Sequence, residues 1–339
     1  MEKLLNQIKS KSIAVVYAFQ KEPAKGSKHY DFWSMDVLGD WVKAIEEVSC
    51  IPYILDVRTF GYKALNNTLP PIDFVLNLNA GTFDLSTLGL VPSICGFLSI
   101  PCIPCETIQA VAGEHKELST LVADAMKINT PKKINSDDPS GIFRPLNLGS
   151  SIGVSRGFNV KKEGIYQEFI KGFDMTTPIL YNPISKRLEV LPSISYVSAD
   201  DSIEWFLGEK EKELHKGYKK TPVRIDSATE KLYLELVKTY GVKTFCRIDA
   251  RVKCESIDER NEIINNGEIP HERVFFLEIN AMPTIVEKIN FCNSIESVTM
   301  GTNFYECFSQ YNRLIRNSST VGFILFCSMM SLKPYSHAL

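Results

Sequence analysis

Two short runs constrain this chain more than any other feature in it. Phe245-Cys246-Arg247-Ile248-Asp249 and Phe276-Leu277-Glu278-Ile279-Asn280 both alternate apolar and polar residues, the period of a strand whose successive side chains point to opposite faces. Arg247 and Asp249 then share a face opposite Cys246 and Ile248, and Glu278 and Asn280 share one opposite Leu277 and Ile279. If the strands pair, two carboxylates, an amide oxygen and a guanidinium meet on one surface of a sheet whose other surface is apolar. Hard oxygen donors of this kind suit Mg²⁺, which takes one or two carboxylates and completes its shell with water and substrate phosphates. Either strand by itself is better read as a solvated face carrying an Arg–Asp ion pair.

A turn upstream reverses that preference. In Gly149-Ser150-Ser151-Ile152-Gly153 consecutive small residues let backbone N–H groups converge on an anion, the hydroxyls add donors, and Arg144 and Arg156 flank the turn. Taken alone, a Gly/Ser turn is more often a hairpin loop. The segment is neither the G-x-x-x-x-G-K-[ST] phosphate loop nor the G-x-G-x-x-G of a dinucleotide fold. That second fingerprint is also missing from Ser12–Gly26, which argues against a Rossmann dehydrogenase.

Composition excludes several other classes. With 339 residues and 38 Lys+Arg against 40 Asp+Glu, the chain is long enough for two or three domains and has no overall field to attract nucleic acid or an anionic membrane. The longest apolar run, Val321–Met330, is about half of the roughly 20 residues a membrane span needs and reads as a terminal core segment. No apolar stretch ending in a cleavage site opens the chain, and nine scattered Cys make no secreted disulfide framework, so a cytoplasmic location with reduced thiols is expected. Cys102-Ile103-Pro104-Cys105 has no second pair at zinc spacing, and the five His lack H-x-x-x-H spacing, so no zinc or redox centre is expected.

Periodicity divides the chain into blocks. Strands at Ser12–Phe19, Ile51–Val57 and Ile72–Leu78 with a helix at Met35–Val48 imply an open α/β domain. Ligands of such a sheet lie beyond the strands' carboxyl ends, here Gln20–His29 and Asn79–Asp84, which otherwise are surface loops. A second block from Thr107 holds a helix at His115–Ala125 and strands at Ile142–Arg144, Ile165–Ile170 and Thr176–Leu180. In the third, a helix at Glu230–Lys238 precedes strands Thr244–Val252 and Arg273–Ile279, which flank a polar insert, Lys253–Glu272.

Gly149–Arg156 (GSSIGVSR), Gln167–Asp174 (QEFIKGFD), Arg247–Asp249 (RID) and Glu278–Pro283 (EINAMP) stand in the order and spacing of the ATP-grasp ligases. Over about Asp73–Ser297 the chain is similar to their D-alanine–D-alanine ligase-like group. The resemblance implies an α/β (α+β) protein of three domains: an N-terminal α/β domain over residues 1–106, a central ATP-grasp subdomain over 107–182 and a C-terminal one over 183–339. It also implies an ADP-forming carboxylate–amine ligase that makes a peptide bond through an acylphosphate. Lys116 and Arg144 would meet the nucleotide phosphates, and the Ser150-Ser151 turn would cover the β- and γ-phosphates. Gln167, with the backbones of Glu168 and Ile170, would meet adenine, and Asp174 the ribose hydroxyls. Lys210 or Lys212 would reach the γ-phosphate from a lid in the charged run Glu209–Lys220. Asp249, Glu278 and Asn280 would hold two Mg²⁺, with Mn²⁺ as a substitute, and Arg247 would stabilise the oxyanion.

The family's amino-acid half is not matched. Its Ser-Ala-Glu element, His-Gly…Gly-Glu-Asp-Gly loop and Pro-Gly-Met-Thr segment are replaced by Ala18–Glu22, Asn77–Gly81 and Met282–Val286, with Thr284 at a glycine whose N–H lies near the oxyanion. Glu22 remains as a candidate amine-binding carboxylate. D-alanine is thus one candidate substrate among amino acids and small carboxylates. A peptide ligase of specialised metabolism and a non-catalytic ATP-binding homologue stay open as alternatives, as does a homodimer. The long insert Lys253–Glu272 is expected to be a surface hairpin or a partner-binding element.

Overall fold

The computed structural model describes residues 6–18, 35–79, 85–147, 149, 151–157, 163–214, 216–283, 285 and 319–332. The first sheet is parallel, with β1 (Ser12–Tyr17), β2 (Ile51–Asp56), β3 (Phe74–Leu78) and β4 (Cys102–Ile103) in the order β2-β1-β3-β4. Its apolar strands carry helices on both faces, as a parallel sheet requires. Ile13, Val15 and Tyr17 join one core with α1 (Met35–Glu47), whereas Ala14 and Val16 join another with Phe60 of α2 (Val57–Leu65) and Val91 of α3 (Leu85–Phe97). The expected open α/β arrangement is present, although the expected strand ending at Val57 stops one residue earlier. There Asp56 caps α2, its carboxylate accepting from the N–H groups of Arg58 and Thr59.

Helices α4 (Thr107–Glu114) and α5 (Lys116–Ala125) meet at His115, whose ring nitrogen accepts from the Leu118 N–H. A small antiparallel sheet follows, β6 (Ser155–Arg156), β5 (Ile142–Arg144) and β7 (Ile165–Gln167), with β5 in the middle. The large sheet runs β13-β11-β10-β8-β12-β14, and β9 pairs with β8. Its strands are β8 (Gly172–Asn182), β9 (Arg187–Val190), β10 (Ser193–Ser198), β11 (Tyr218–Ile225), β12 (Phe245–Lys253), β13 (Glu268–Ile269) and β14 (Val274–Asn280). β8 bonds to β12 from Gly172 to Leu180 and to β10 from Asp174 to Thr176, so the expected domain limit at residue 182 falls at the end of a strand of the C-terminal sheet. Gly172 opens β8 at φ +135°, and a Cβ there would lie 1.9 Å from the Val252 carbonyl oxygen, an approach only glycine permits.

One face of the large sheet is apolar. Cys246, Ile248, Ala250 and Val252 of β12 pack with Tyr233, Leu236 and Val237 of α7 (Ser227–Thr239). α6 (Glu209–Leu214) precedes β11. The insert Lys253–Glu272 is not a hairpin: it holds α8 (Ile257–Asn266), capped by Ser256 and ended by Gly267 at φ +71°, and then β13, which pairs parallel with β11 at the sheet edge. The Ser-x-x-Glu box at Ser256–Glu259 and the Gly stop are the signals for that helix. The apolar run near the end forms α9 (Thr320–Ser331), whose residues Val321–Met329 are all buried. It joins α1, β1, Leu180 and Phe245 in one core, and Trp41 of α1 stacks on Phe245 at 6.5 Å. A helix apolar on every side belongs in such a position. Among the described residues no helix is long and apolar enough to cross a membrane.

Candidate functional site

The candidate site is built on the polar face of β12 and on the neighbouring strand β14. β12 and β14 pair antiparallel with Arg247 opposite Asn280 and Asp249 opposite Glu278, and the register slips just after Asp249. Directly opposed residues share a face, so the expected convergence of two carboxylates, an amide and a guanidinium is observed. Arg247 grips Asp249 with both arms, Nε to Oδ1 at 2.8 Å and Nη2 to Oδ2 at 2.7 Å, and the Thr176 hydroxyl of β8 donates to the same Oδ1 at 2.6 Å. Asn280 Oδ1 accepts from the Met282 N–H at 3.0 Å, bending the chain away after the strand.

Glu278 is gripped from the other side. Arg144 Nη2 lies 2.9 Å and Lys116 Nζ 3.2 Å from its Oε2, and these cationic side chains are only 7% and 3% exposed. Arg144 also donates to the Leu277 carbonyl at 3.0 Å, so β5 and the start of α5 are stapled onto β14. Burial opposes ionisation of Glu278, but Lys116, Arg144 and Lys212 outweigh it and hold the carboxyl well below the usual range. Burial also works against the Arg247 charge, and Asp249 outweighs it, so the guanidinium is held more firmly than usual. Lys212 in α6 carries a charge that acts on Asp249, Glu278 and Asp174, while burial draws its own affinity for a proton down. The side chain of Lys210 lies outside the described residues, as do Ser150, Glu22 and Thr284.

The remaining expected residues form a second group beside the first. Gln167 is buried, its carboxamide donating to the Pro131 carbonyl at 3.2 Å and accepting from Arg144 at 3.4 Å. Glu168 accepts from the Lys132 N–H at 2.9 Å. Asp174 pairs with Arg251 at 3.0 Å and accepts from the Leu207 N–H at 2.6 Å. Ser151 sits at φ +61° and donates its hydroxyl to the Leu207 carbonyl at 2.8 Å. One residue of the segment before α6, Leu207, thus engages both the turn and the carboxylate. The cleft regions expected at Gln20–His29 and beyond Asn79 lie outside the described residues. Asn79 itself is buried, and its N–H donates at 3.0 Å to Asn77, whose amide lies 3.2 Å from the Met282 sulfur.

Among the described residues no group of three or more His, Cys, Asp or Glu could hold a metal ion alone. Two facing carboxylates and an amide oxygen still fit Mg²⁺ when phosphates complete the shell. Cys102 and Cys105 are buried free thiols whose proton affinity is raised, Cys102 by a hydrogen bond to Cys95 and then burial, Cys105 by burial, and buried thiols of that kind are inert. Sequence reading missed Thr176 and Arg251. Arg251 was legible, since the alternation Arg247, Asp249 extends to it; Thr176 was not, because nothing on β8 reveals which strand lies beside it.

No family model matches the chain. Among curated proteins it is 23% identical over 287 residues to a D-alanine–D-alanine ligase of Clostridium beijerinckii, covering 76% of this chain and 84% of that one. It is 27% identical over 252 residues to D-alanine–D-alanine ligase B of Clostridium perfringens, covering 67% and 76%. Among solved structures it resembles the VanG D-Ala:D-Ser ligase of Enterococcus faecalis, with TM-score 0.57, 17% identity and coverage of 91% and 100%. It also resembles the ATP complex of the Bacillus anthracis D-alanine–D-alanine ligase, with TM-score 0.58, 15% identity and coverage of 94% and 97%.

Proposed function

We propose that this chain, a homologue of the D-alanine–D-alanine ligases with their ATP-grasp fold, is an ATP-dependent, ADP-forming ligase. It joins an amino acid or small carboxylate to an amine. The observation that carries this reading is the in-register pair Asp249 and Glu278, gripped by Arg247 on one side and by Lys116 and Arg144 on the other. A carboxylate is a poor electrophile until ATP phosphorylates it, and phosphoryl transfer is catalysed chiefly by positioning and by charge opposite the transferring oxygens.

Lys116, Arg144 and Lys212 supply that charge. Each now faces a carboxylate, and an arriving triphosphate competes for them and releases Glu278 to accept a cation, while Asp249, still held by Arg247 and Thr176, offers the remaining acceptor position of its Oδ2. Mg²⁺ held by Asp249, Glu278 and Asn280 would supply Lewis-acid neutralisation of the phosphate oxygens. The turn at Ser151 covers the phosphates, and Gln167, Glu168 and Ile170 line the base. Arg247 faces the oxyanion formed when the amine attacks the acylphosphate, in a site that the lid helix α6 closes against water. The donor and acceptor are amino acids or small carboxylates, with D-alanine one candidate, because the amino-acid motifs of the family it resembles are not matched at Ala18–Glu22, Asn77–Gly81 and Met282–Val286.

The test is a phosphate-release screen of paired D- and L-amino acids with ATP and Mg²⁺. The reading expects ADP and phosphate in equal amounts from at least one pair, and none from that pair with Asp249→Asn. Nucleotide binding without turnover for every pair would favour a non-catalytic homologue.

A further inference from the structure

Arg251 follows Asp249 on the polar face of β12 and has no part in the chemistry described above. Its side chain is 5% exposed, and every nitrogen of its fork has a partner. Nε donates to the Ile170 carbonyl, Nη1 to Asp174 Oδ1 at 3.0 Å, and Nη2 to the carbonyls of Gly172 at 3.2 Å and Trp205 at 2.6 Å. Its Cζ also lies 4.7 Å from the centroid of Phe169, a ring that carries Arg156 at 3.9 Å. A single guanidinium therefore joins the stretch after β7, the first residue of β8, the segment before the lid helix and the Asp174 carboxylate.

We propose that Arg251 is a positioning residue for the sugar of the nucleotide, and that through Asp174 it sets a preference for ribonucleotides over deoxyribonucleotides. The inference rests on the ligase reading, which gives Asp174 to the ribose. An ionised carboxylate offers about four acceptor positions. Arg251 takes one on Oδ1 and the Leu207 N–H takes one on Oδ2, which fixes the carboxylate plane and leaves one position on each oxygen for the two neighbouring hydroxyls of a ribose. The ion pair also offsets a negative charge that would otherwise repel the triphosphate. Lysine cannot replace it, because a single ammonium cannot span carbonyls on three segments and a carboxylate together.

The experiment is calorimetric titration of the full chain with ATP, 2′-deoxyATP and 3′-deoxyATP, with Mg²⁺ and no amino acid. The wild-type protein is expected to bind at least one deoxynucleotide about 10-fold more weakly than ATP, the scale of a lost hydrogen bond to a charged group. In Arg251→Lys, ATP binding is expected to weaken about 10-fold while the deoxynucleotides change little, so the ratio collapses toward one. Asp174→Asn gives the same collapse and carries the test if Arg251→Lys does not fold. A ratio preserved in Arg251→Lys, or an equal loss for all three nucleotides, overturns the proposal and leaves Arg251 as a structural tie. A wild-type protein that binds no adenine nucleotide overturns the ligase reading itself, and that result is read before any variant is compared.

Discussion

Replacing Glu278 by glutamine isolates the electrostatic logic of the site. The carboxylate is the shared acceptor of Arg144 Nη2 at 2.9 Å and Lys116 Nζ at 3.2 Å, and these cations are 7% and 3% exposed. Breaking a buried pair by removing one partner costs about 3–5 kcal/mol, because the remaining charge stays desolvated. Glutamine keeps one acceptor oxygen, and Leu277 O still takes Arg144, so about 2–3 kcal/mol is expected. At roughly 2–4 °C per kcal/mol for a cooperative unit of 150–250 residues, this lowers the melting temperature by about 4–12 °C. Circular dichroism melts and urea titrations of wild type, E278Q, R144M and the double variant measure it. The double variant is expected to lose less than the sum of the singles, by at least about 1 kcal/mol. An E278Q protein as stable as wild type, or strictly additive losses, would falsify the account of Glu278 as the counter-ion of these two cations.

Further outcomes follow from the same geometry. The Glu278 carboxyl is held below its unfolded value of 4.5, so its stabilising effect is complete above that pH and fades as pH falls through the folded value. The E278Q deficit in melting temperature is therefore expected at pH 7 and much reduced near pH 2 if both proteins remain folded there, and a deficit independent of pH contradicts this. Lys212, whose proton affinity is lowered by burial, is held at a cost to stability at neutral pH. Lys212→Met should melt higher than wild type yet release no phosphate, and a lower melting temperature argues that Lys212 is structural. Gly172→Ala meets the Val252 carbonyl at 1.9 Å, a backbone atom that cannot step aside, and is expected to abolish soluble expression or to cost more than about 3 kcal/mol. Arg247→Met should still bind ATP in a titration while turnover falls about 10²–10³-fold, the loss typical of one oxyanion partner.

The strands that build the site were legible because their chemistry is written at period two. Arg247, Asp249, Glu278 and Asn280 alternate with apolar residues, and the pairing in the fold sets them opposite one another. What the sequence hid is mostly long-range. No local pattern says that Thr176 lies beside Asp249 or that Lys116, more than 160 residues away, answers Glu278. α3 was invisible for a different reason: Pro92 and Gly89 interrupt a segment apolar on all sides, so no amphipathic stripe marks it. The insert Lys253–Glu272 carried its own signal in the Ser256–Glu259 box and Gly267, which its polar composition obscured. Between Lys210 and Lys212 the sequence offered no choice, since both stand in one charged run.

The claim at the centre of this account is that ATP activates a carboxylate as an acylphosphate on the floor formed by β12 and β14. The most direct measurement uses an ¹⁸O-labelled carboxylate substrate from the amino-acid pair that releases the most phosphate, followed by mass analysis of that phosphate. One ¹⁸O per phosphate released is the predicted result, because the oxygen that attacks the γ-phosphorus leaves with it when the amine displaces phosphate. Phosphate free of label during steady product formation would contradict the account.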